Sequence, residues 1–303
     1  MKQTQIAIIG AGSVGTATAY NLILINIVSE IILVDCNTKK CQAEVDDLAD
    51  TLPWSTTRSI RTGNYKEAAQ ADIIIICAGK PQQPGQSRAD LVTDNAKIIR
   101  SIFNEMGPIS KDSIIIMVTN PVDTLTQLAQ NLSGLPTNQV IGSGTLLDTI
   151  RWRGFISKEI TTGEQSIEAY VIGEHGENQV ALISSANIEG VPLDEYPKLG
   201  NKKLEELAKK AKLKVYGLVE NKGCAEFGVA ACVTALCKCI IFNENLVTPV
   251  VTYSKEYKTC MSLPVNLGAK GIFEQVYIAT NEKEQQALQE SAEQLRKMYK
   301  SIQ

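Results

Sequence analysis

Two stretches of this sequence hold residue types at spacings that could do chemistry. IAIIGAGSVG (6–15) sets Gly10, Gly12 and Gly15 directly behind an aliphatic run. In a strand–turn–helix, glycines at that spacing permit the tight turn, admit a pyrophosphate close to backbone, and let helix and strand pack closely. The helix start would turn its N–H groups and positive dipole end toward the phosphates. Asp35, 20 residues after Gly15, would accept ribose hydroxyls and repel a 2′-phosphate, favouring NAD over NADP against a slight opposing pull from Lys39 and Lys40. The second stretch is IGEHGENQ (172–179), whose His175 is the single histidine of the 303 residues. An imidazole titrates close to working pH and suits proton exchange, although a lone histidine is more often packed or at the surface.

The first half of the chain is organised to position the glycines. Aliphatic runs at 6–10, 31–35, 73–77 and 114–118 predict strands buried on both faces, as in a parallel sheet. Helix patterns at about 13–27, 37–51 and 90–106 alternate with them. The expected fold class is α/β: a Rossmann-type doubly wound parallel sheet, followed by an α+β substrate domain. The boundary is placed near residue 143, giving a dinucleotide-binding domain over 1–143 and a catalytic domain over 144–303. In the second part the pattern predicts a strand at 168–173, helices at about 201–221 and 226–242, and strands near 249–253 and 272–278. A last helix, about 282–301, follows Thr280-Asn281, which can cap it. Open α/β sheets bind ligands at the carboxyl ends of their strands. AGKPQQPGQSR (78–88), NPVD (120–123) and GSGTLLDTIRWR (142–153) are therefore expected to gather there.

Composition removes several classes of function. A net charge of −3 gives no basic footprint for nucleic acid or an anionic membrane, and no apolar run approaches the ~20 residues a bilayer requires. The N-terminus runs straight into a strand, so no signal peptide is expected and a cytoplasmic location is favoured. Eight cysteines without a CxxC pair suggest reduced, mostly buried thiols. Cys237-Lys-Cys239 with one histidine in the chain is a poor metal site, so no metal is expected.

GAGSVG, VD, NPVD, GSGTLLDTIRWR and GEHGE, in that order, resemble the L-lactate/malate dehydrogenases. The resemblance extends through LPVNLGAKGI (263–272) into the final helix, and is nearest to the bacterial NAD-dependent L-lactate branch. It implies that His175 accepts and returns the proton, with Asp148 as its carboxylate partner. Arg151 would clamp the substrate carboxylate, Arg88 would close over the substrate on a loop, and Asn120 would contact its oxygen. Val14, Asp35, Lys40, Tyr65, Gly79, Ser101, Thr119, Asn120 and Ser143 would line the cofactor along with the three glycines. Elementary chemistry agrees. Alcohol oxidation by hydride transfer needs a base for the hydroxyl proton; a carboxylate fixes the imidazole tautomer; an arginine holds a carboxylate by two parallel hydrogen bonds. The nicotinamide supplies the hydride.

Specificity rests on two positions. Gln82 stands where the malate branch has an arginine for a second carboxylate; a neutral side chain there leaves that carboxylate poorly paired, favouring pyruvate and lactate. Ala225 stands where the lactate branch has threonine and so leaves malate dehydrogenase, or a broader L-2-hydroxyacid dehydrogenase, as the alternative; the smaller side chain suggests tolerance of longer 2-oxo acids. Arg153 matches an arginine of the fructose 1,6-bisphosphate site in some bacterial relatives, but Glu168 replaces the histidine, so no activation by that sugar is expected. The family also implies a homotetramer or dimer. A non-catalytic NAD-binding protein should have lost one of His175, Asp148, Arg88 or Arg151, and all four are present. A metal-dependent NAD-using glycosidase would need a Cys/His site that this chain lacks.

Overall fold

The structure is a computed structural model that describes residues 4–81 and 88–303. Gln82, and the side chain of Arg88, lie outside the described residues. The first half comprises β1 (Gln5–Ile9), α1 (Ser13–Leu24), β2 (Glu30–Val34), α2 (Thr38–Ala49), β3 (Ser59–Thr62) and α3 (Tyr65–Ala68). It continues with β4 (Ile73–Ile76), α4 (Arg88–Met106), β5 (Ile114–Met117), α5 (Val122–Ser133) and β6 (Val140–Gly142). These strands pair in parallel in the order β3-β2-β1-β4-β5-β6. The order reverses between β1 and β4, which opens a crevice at their carboxyl ends.

The aliphatic runs are buried on both faces because helices cover both. Ile6, Ile8, Ile73 and Ile75 enter one core with residues of α1, α2 and the later helix α8 (Glu226–Phe242); Ala7, Ile9, Ile74 and Ile76 enter the other with α4 and α5. Alternation across the pleat sorts each run between the two layers.

The second half comprises α6 (Leu146–Ile160), β7 (Ile167–Glu168), β8 (Val171–Gly173), β9 (Gln179–Ala181), β10 (Asn187–Ile188) and β11 (Val191–Pro192). After these come α7 (Asn201–Lys222), α8 (Glu226–Phe242), β12 (Leu246–Ser254), β13 (Thr259–Gly268), β14 (Gly271–Gln275) and α9 (Glu282–Lys300). Its strands extend the same sheet. β12 lies antiparallel to β6 at Val251–Gly142, and the order continues β12-β13-β8-β9, with β14 also on β13. β7, β10 and β11 form a separate small sheet.

The doubly wound fold is as expected, with three local differences. The helix predicted over 13–27 stops at Leu24, because Asn26 turns left-handed (φ 60°) to bring the chain into β2. The predicted strand 168–173 is broken: Ile167–Glu168 joins the small sheet and Val171–Gly173 the large one. The hairpin β12–β13 is much longer than the predicted 249–253, its register hidden in the sequence by Pro249 opposite Pro264. α9 is capped as predicted: the Asn281 side chain accepts from the Glu284 N–H (2.9 Å) and Glu284 accepts from the Asn281 N–H (3.0 Å).

Candidate active site

The three glycines have separable reasons. Gly10 has φ 111°, and a Cβ there would come within 2.6 Å of the Ala78 nitrogen; one on Gly15 would come within 1.9 Å of the Gly10 carbonyl oxygen. Gly12 is different: a Cβ there would meet nothing within 4 Å. Packing thus demands the first and third glycines, while the second leaves open space at the N-terminus of α1. Gly12 is also the N-cap of α1 and offers no side chain to the first N–H groups of the helix. Asp35, at the end of β2, anchors this loop by accepting from the Ala11 N–H (2.8 Å) and the Asn37 N–H (2.8 Å). Space at Gly12, unclaimed helix N–H groups and a carboxylate at the end of the next strand fit a dinucleotide.

Neighbouring strand ends close the crevice. A Cβ on Gly79 would lie 2.3 Å from Thr119 Cγ2, so the loops after β4 and β5 touch. Thr119 Oγ1 donates to the Ala78 carbonyl (2.8 Å). Asn95, which sequence reading missed, binds both loops from α4. Its amide donates to the carbonyls of Asn120 (2.8 Å) and Lys80 (3.1 Å), and its oxygen accepts from the Lys80 N–H (2.8 Å). Val14 sits in the first turn of α1 and Tyr65 opens α3, both half-buried; Ser143 follows β6. Lys40 and Ser101 are exposed on α2 and α4.

His175 lies in the turn after β8 and is held at two points. Its Nδ1 is 2.7 Å from Asp148 Oδ2, and its backbone N–H donates to Asp123 Oδ2 (2.9 Å). Asp148 belongs to the first turn of α6, with Arg151 one turn further along the helix. Burial alone would push the Asp148 carboxyl up; the His175 imidazolium and its hydrogen bond, with Arg151 beside them, outweigh burial and hold it below the ordinary value. Arg151 is half-buried, and its charge is weakened by burial and supported by Asp148. Arg151 and Ala225, the N-cap of α8, line one cavity of about 390 Å³. Glu177, two residues beyond His175, receives the Tyr216 hydroxyl and the Lys212 ammonium (2.8 Å) from α7. Among the described residues no cluster of three or more His, Cys, Asp or Glu could hold a metal.

Asp123 is the second residue that sequence reading missed, although NPVD was singled out. The signal was an acid one residue inside a helix that follows a fully buried strand. It is 1% exposed, its Oδ1 has no hydrogen-bond partner, and burial pushes its carboxyl up to about 7. The ordinary value is 3.8, so between the two the folded state keeps a proton that the unfolded chain has released. Stability present at low pH is therefore lost as pH rises through that window. Asp123→Asn, which cannot ionise, should gain thermal stability relative to the parent as pH is raised from about 4 to about 8. Thermal unfolding midpoints of both proteins across that range check this, and a constant difference would refute it.

A family model described as the lactate/malate dehydrogenase NAD-binding domain matches residues 4–142, and the family's alpha/beta C-terminal domain matches 145–303. The chain belongs to the lactate/malate dehydrogenase family. It is 38% identical to the L-lactate dehydrogenase of Acetivibrio thermocellus, over 98% of this chain and 97% of that relative. It is 42% identical to L-lactate dehydrogenase A of Rhizopus oryzae, over 97% of this chain and 91% of that relative. Among solved structures it is similar to the minor L-lactate dehydrogenase of Enterococcus mundtii in a ligand-bound form. That pair has a TM-score of 0.95 and 32% identity, covering 100% of this chain and 99% of the other. The glycine loop, Asp35 and Thr119 lie within the matched NAD-binding domain, and Asp148, Arg151 and His175 within the matched C-terminal domain of this dehydrogenase family.

Proposed function

We propose that this dehydrogenase interconverts L-lactate and pyruvate with NAD as cofactor. The observation that carries the proposal is the His175–Asp148 pair, 2.7 Å apart, with Arg151 one turn along α6. A carboxylate on Nδ1 sets the tautomer, leaving Nε2 to exchange the proton of the substrate hydroxyl. Asp148, kept ionised, then stabilises the imidazolium that forms when the alcohol is oxidised. Arg151 presents two parallel N–H donors to the substrate carboxylate and so fixes the C2 atom. Asn120, and Arg88 from the start of α4, are assigned to the substrate oxygen, where added positive charge polarises a carbonyl. Bound NAD would lie against Gly10, Gly12 and Gly15 with its ribose at Asp35 and Val14, Lys40, Tyr65, Gly79, Ser101, Thr119 and Ser143 around it; it supplies the hydride acceptor and donor.

Neutral Gln82 supports pyruvate over oxaloacetate, while Ala225 favours the alternative, malate dehydrogenase. NADH consumption with each acid decides. A kcat/KM for pyruvate well above that for oxaloacetate is expected; the reverse would overturn the substrate assignment.

Fructose 1,6-bisphosphate has no part in this reading. Arg153 donates to the Ala169 carbonyl (2.8 Å) and lies 4.8 Å from the Tyr170 ring, and the residue before Ala169 in sequence is the acid Glu168. Exposed Trp54 and Phe227 support assembly into a homo-oligomer, a tetramer or dimer. Small soluble acids as substrates support a cytoplasmic site of action, and no described helix is long and apolar enough to cross a membrane.

A further inference from the structure

We infer that Asp123 is a positioning residue of the reaction: its buried carboxylate fixes the backbone of His175, and its charge supports the imidazolium. The inference rests on the reading of His175 as the group that exchanges the substrate proton. His175 sits in a turn between Gly173 (φ 88°) and Gly176 (φ 151°), backbone conformations that favour glycine. Glycines on both sides leave the chain between them to be fixed by its anchors. The Ser291 hydroxyl of α9 accepts from the Glu174 N–H (2.8 Å), and Asp123 Oδ2 of α5 accepts from the His175 N–H (2.9 Å). Asp148 of α6 holds the ring (2.7 Å). Three helices thus set the peptide groups and the imidazole of one turn.

The backbone hydrogen bond alone does not require an acid. An asparagine carbonyl at position 123 would accept the same N–H without bringing a charge into the core, where an ionised group is costly. Asp123 is 1% exposed, and its Oδ1 has no hydrogen-bond partner among the described residues. What the acid adds is negative charge behind the histidine. Burial pushes the Asp123 carboxyl up, His175 pulls it back and buried Glu174 opposes the histidine, leaving it at about 7. The attraction is mutual, so an ionised Asp123 raises the proton affinity of His175. An ordinary imidazole titrates at ~6.5, so the two groups give up their protons as a coupled pair. Other charges face this pair. Asp148 and Arg151 do so from α6, and Glu174 and Glu177 from the turn itself, with Lys212 and Tyr216 of α7 on Glu177. Burial and Asp123 hold the Cys260 thiol of β13 well above its ordinary value, so it stays neutral.

His175 is the single histidine of the chain, so one Cε1–H signal in NMR follows its titration. Asp123→Asn keeps an acceptor for the N–H and removes the charge. The His175 midpoint should fall by about 0.5 unit or more. The alkaline limb of kcat/KM for pyruvate reduction, which needs the protonated ring, should move down with it. Asp123→Ala removes the acceptor as well. Its kcat should fall about tenfold or more, since a misplacement of ~1 Å can cost ~100-fold. Its KM for pyruvate should stay within about threefold, because the Arg151 clamp is on α6. Asparagine should restore most of that kcat at a pH below about 7, where the parent's Asp123 holds its own proton. Should Asp123→Ala fail to fold, the titration of the asparagine variant decides alone. A His175 midpoint within about 0.2 unit of the parent's would overturn the inference, as would an undiminished kcat in Asp123→Ala. Absence of pyruvate turnover by the unaltered chain would remove the lactate assignment and this inference with it. Normal turnover with an unmoved midpoint would remove this inference alone.

Discussion

His175→Asn should lower kcat/KM for pyruvate by about 10²–10⁴-fold, the usual contribution of a positioned acid–base group. Asparagine keeps a polar side chain of similar reach and leaves the backbone N–H that Asp123 accepts, so the turn after β8 keeps its anchor. What is lost is the proton. Without it, the oxygen at C2 must take its proton from water in a crevice built to hold substrate. NADH binding, followed by fluorescence, should be unchanged, because the glycine loop and Asp35 are on other strands. A large fall in cofactor affinity, or a rate loss below tenfold, would mean that the His175–Asp148 pair has a structural role only.

Arg151→Gln should raise KM for pyruvate, and its cost should be of a different kind. Removing one member of a desolvated, hydrogen-bonded charge pair costs about 2–5 kcal/mol, or roughly 30- to 5,000-fold in affinity. The clamp holds the carboxylate equally in substrate and transition state, so most of the loss belongs in KM, with kcat less affected. Arg151→Lys should restore only part, since a single ammonium replaces two parallel donors. Steady-state kinetics of the three proteins distinguish the cases; a loss confined to kcat would point to a role in transition-state polarisation instead.

Much of the fold was legible because its physics is local. Four aliphatic runs buried on both faces, each followed by a turn and a helix, admit few architectures, and the glycine spacing places the first turn within it. β3 was not legible: SIRT is a short, polar edge strand whose existence depends on pairing with β2. β13 was hidden by its proline. The site divides in the same way. His175, Asp148 and Arg151 could be named from residue type and resemblance, yet their meeting depends on β8 lying beside β13 and on α6 packing near it. Asp123 and Asn95 act on backbone groups 52 and 25 residues away, and no local pattern marks such a partner.

The pairing of β6 with β12 has a mechanical consequence. The strand ends that carry the glycine loop, Asn120 and His175 all issue from one hydrogen-bonded plank, and Asp123 ties α5 to the histidine turn across it. The two halves therefore share one sheet among the described residues. Helices and turns that sit on that plank can adjust to a substrate without parting its strands. α7 is placed for that work: it grips Glu177 beside the histidine and leads directly into Ala225. A shift of that one helix would be felt at the base and at the pocket wall together.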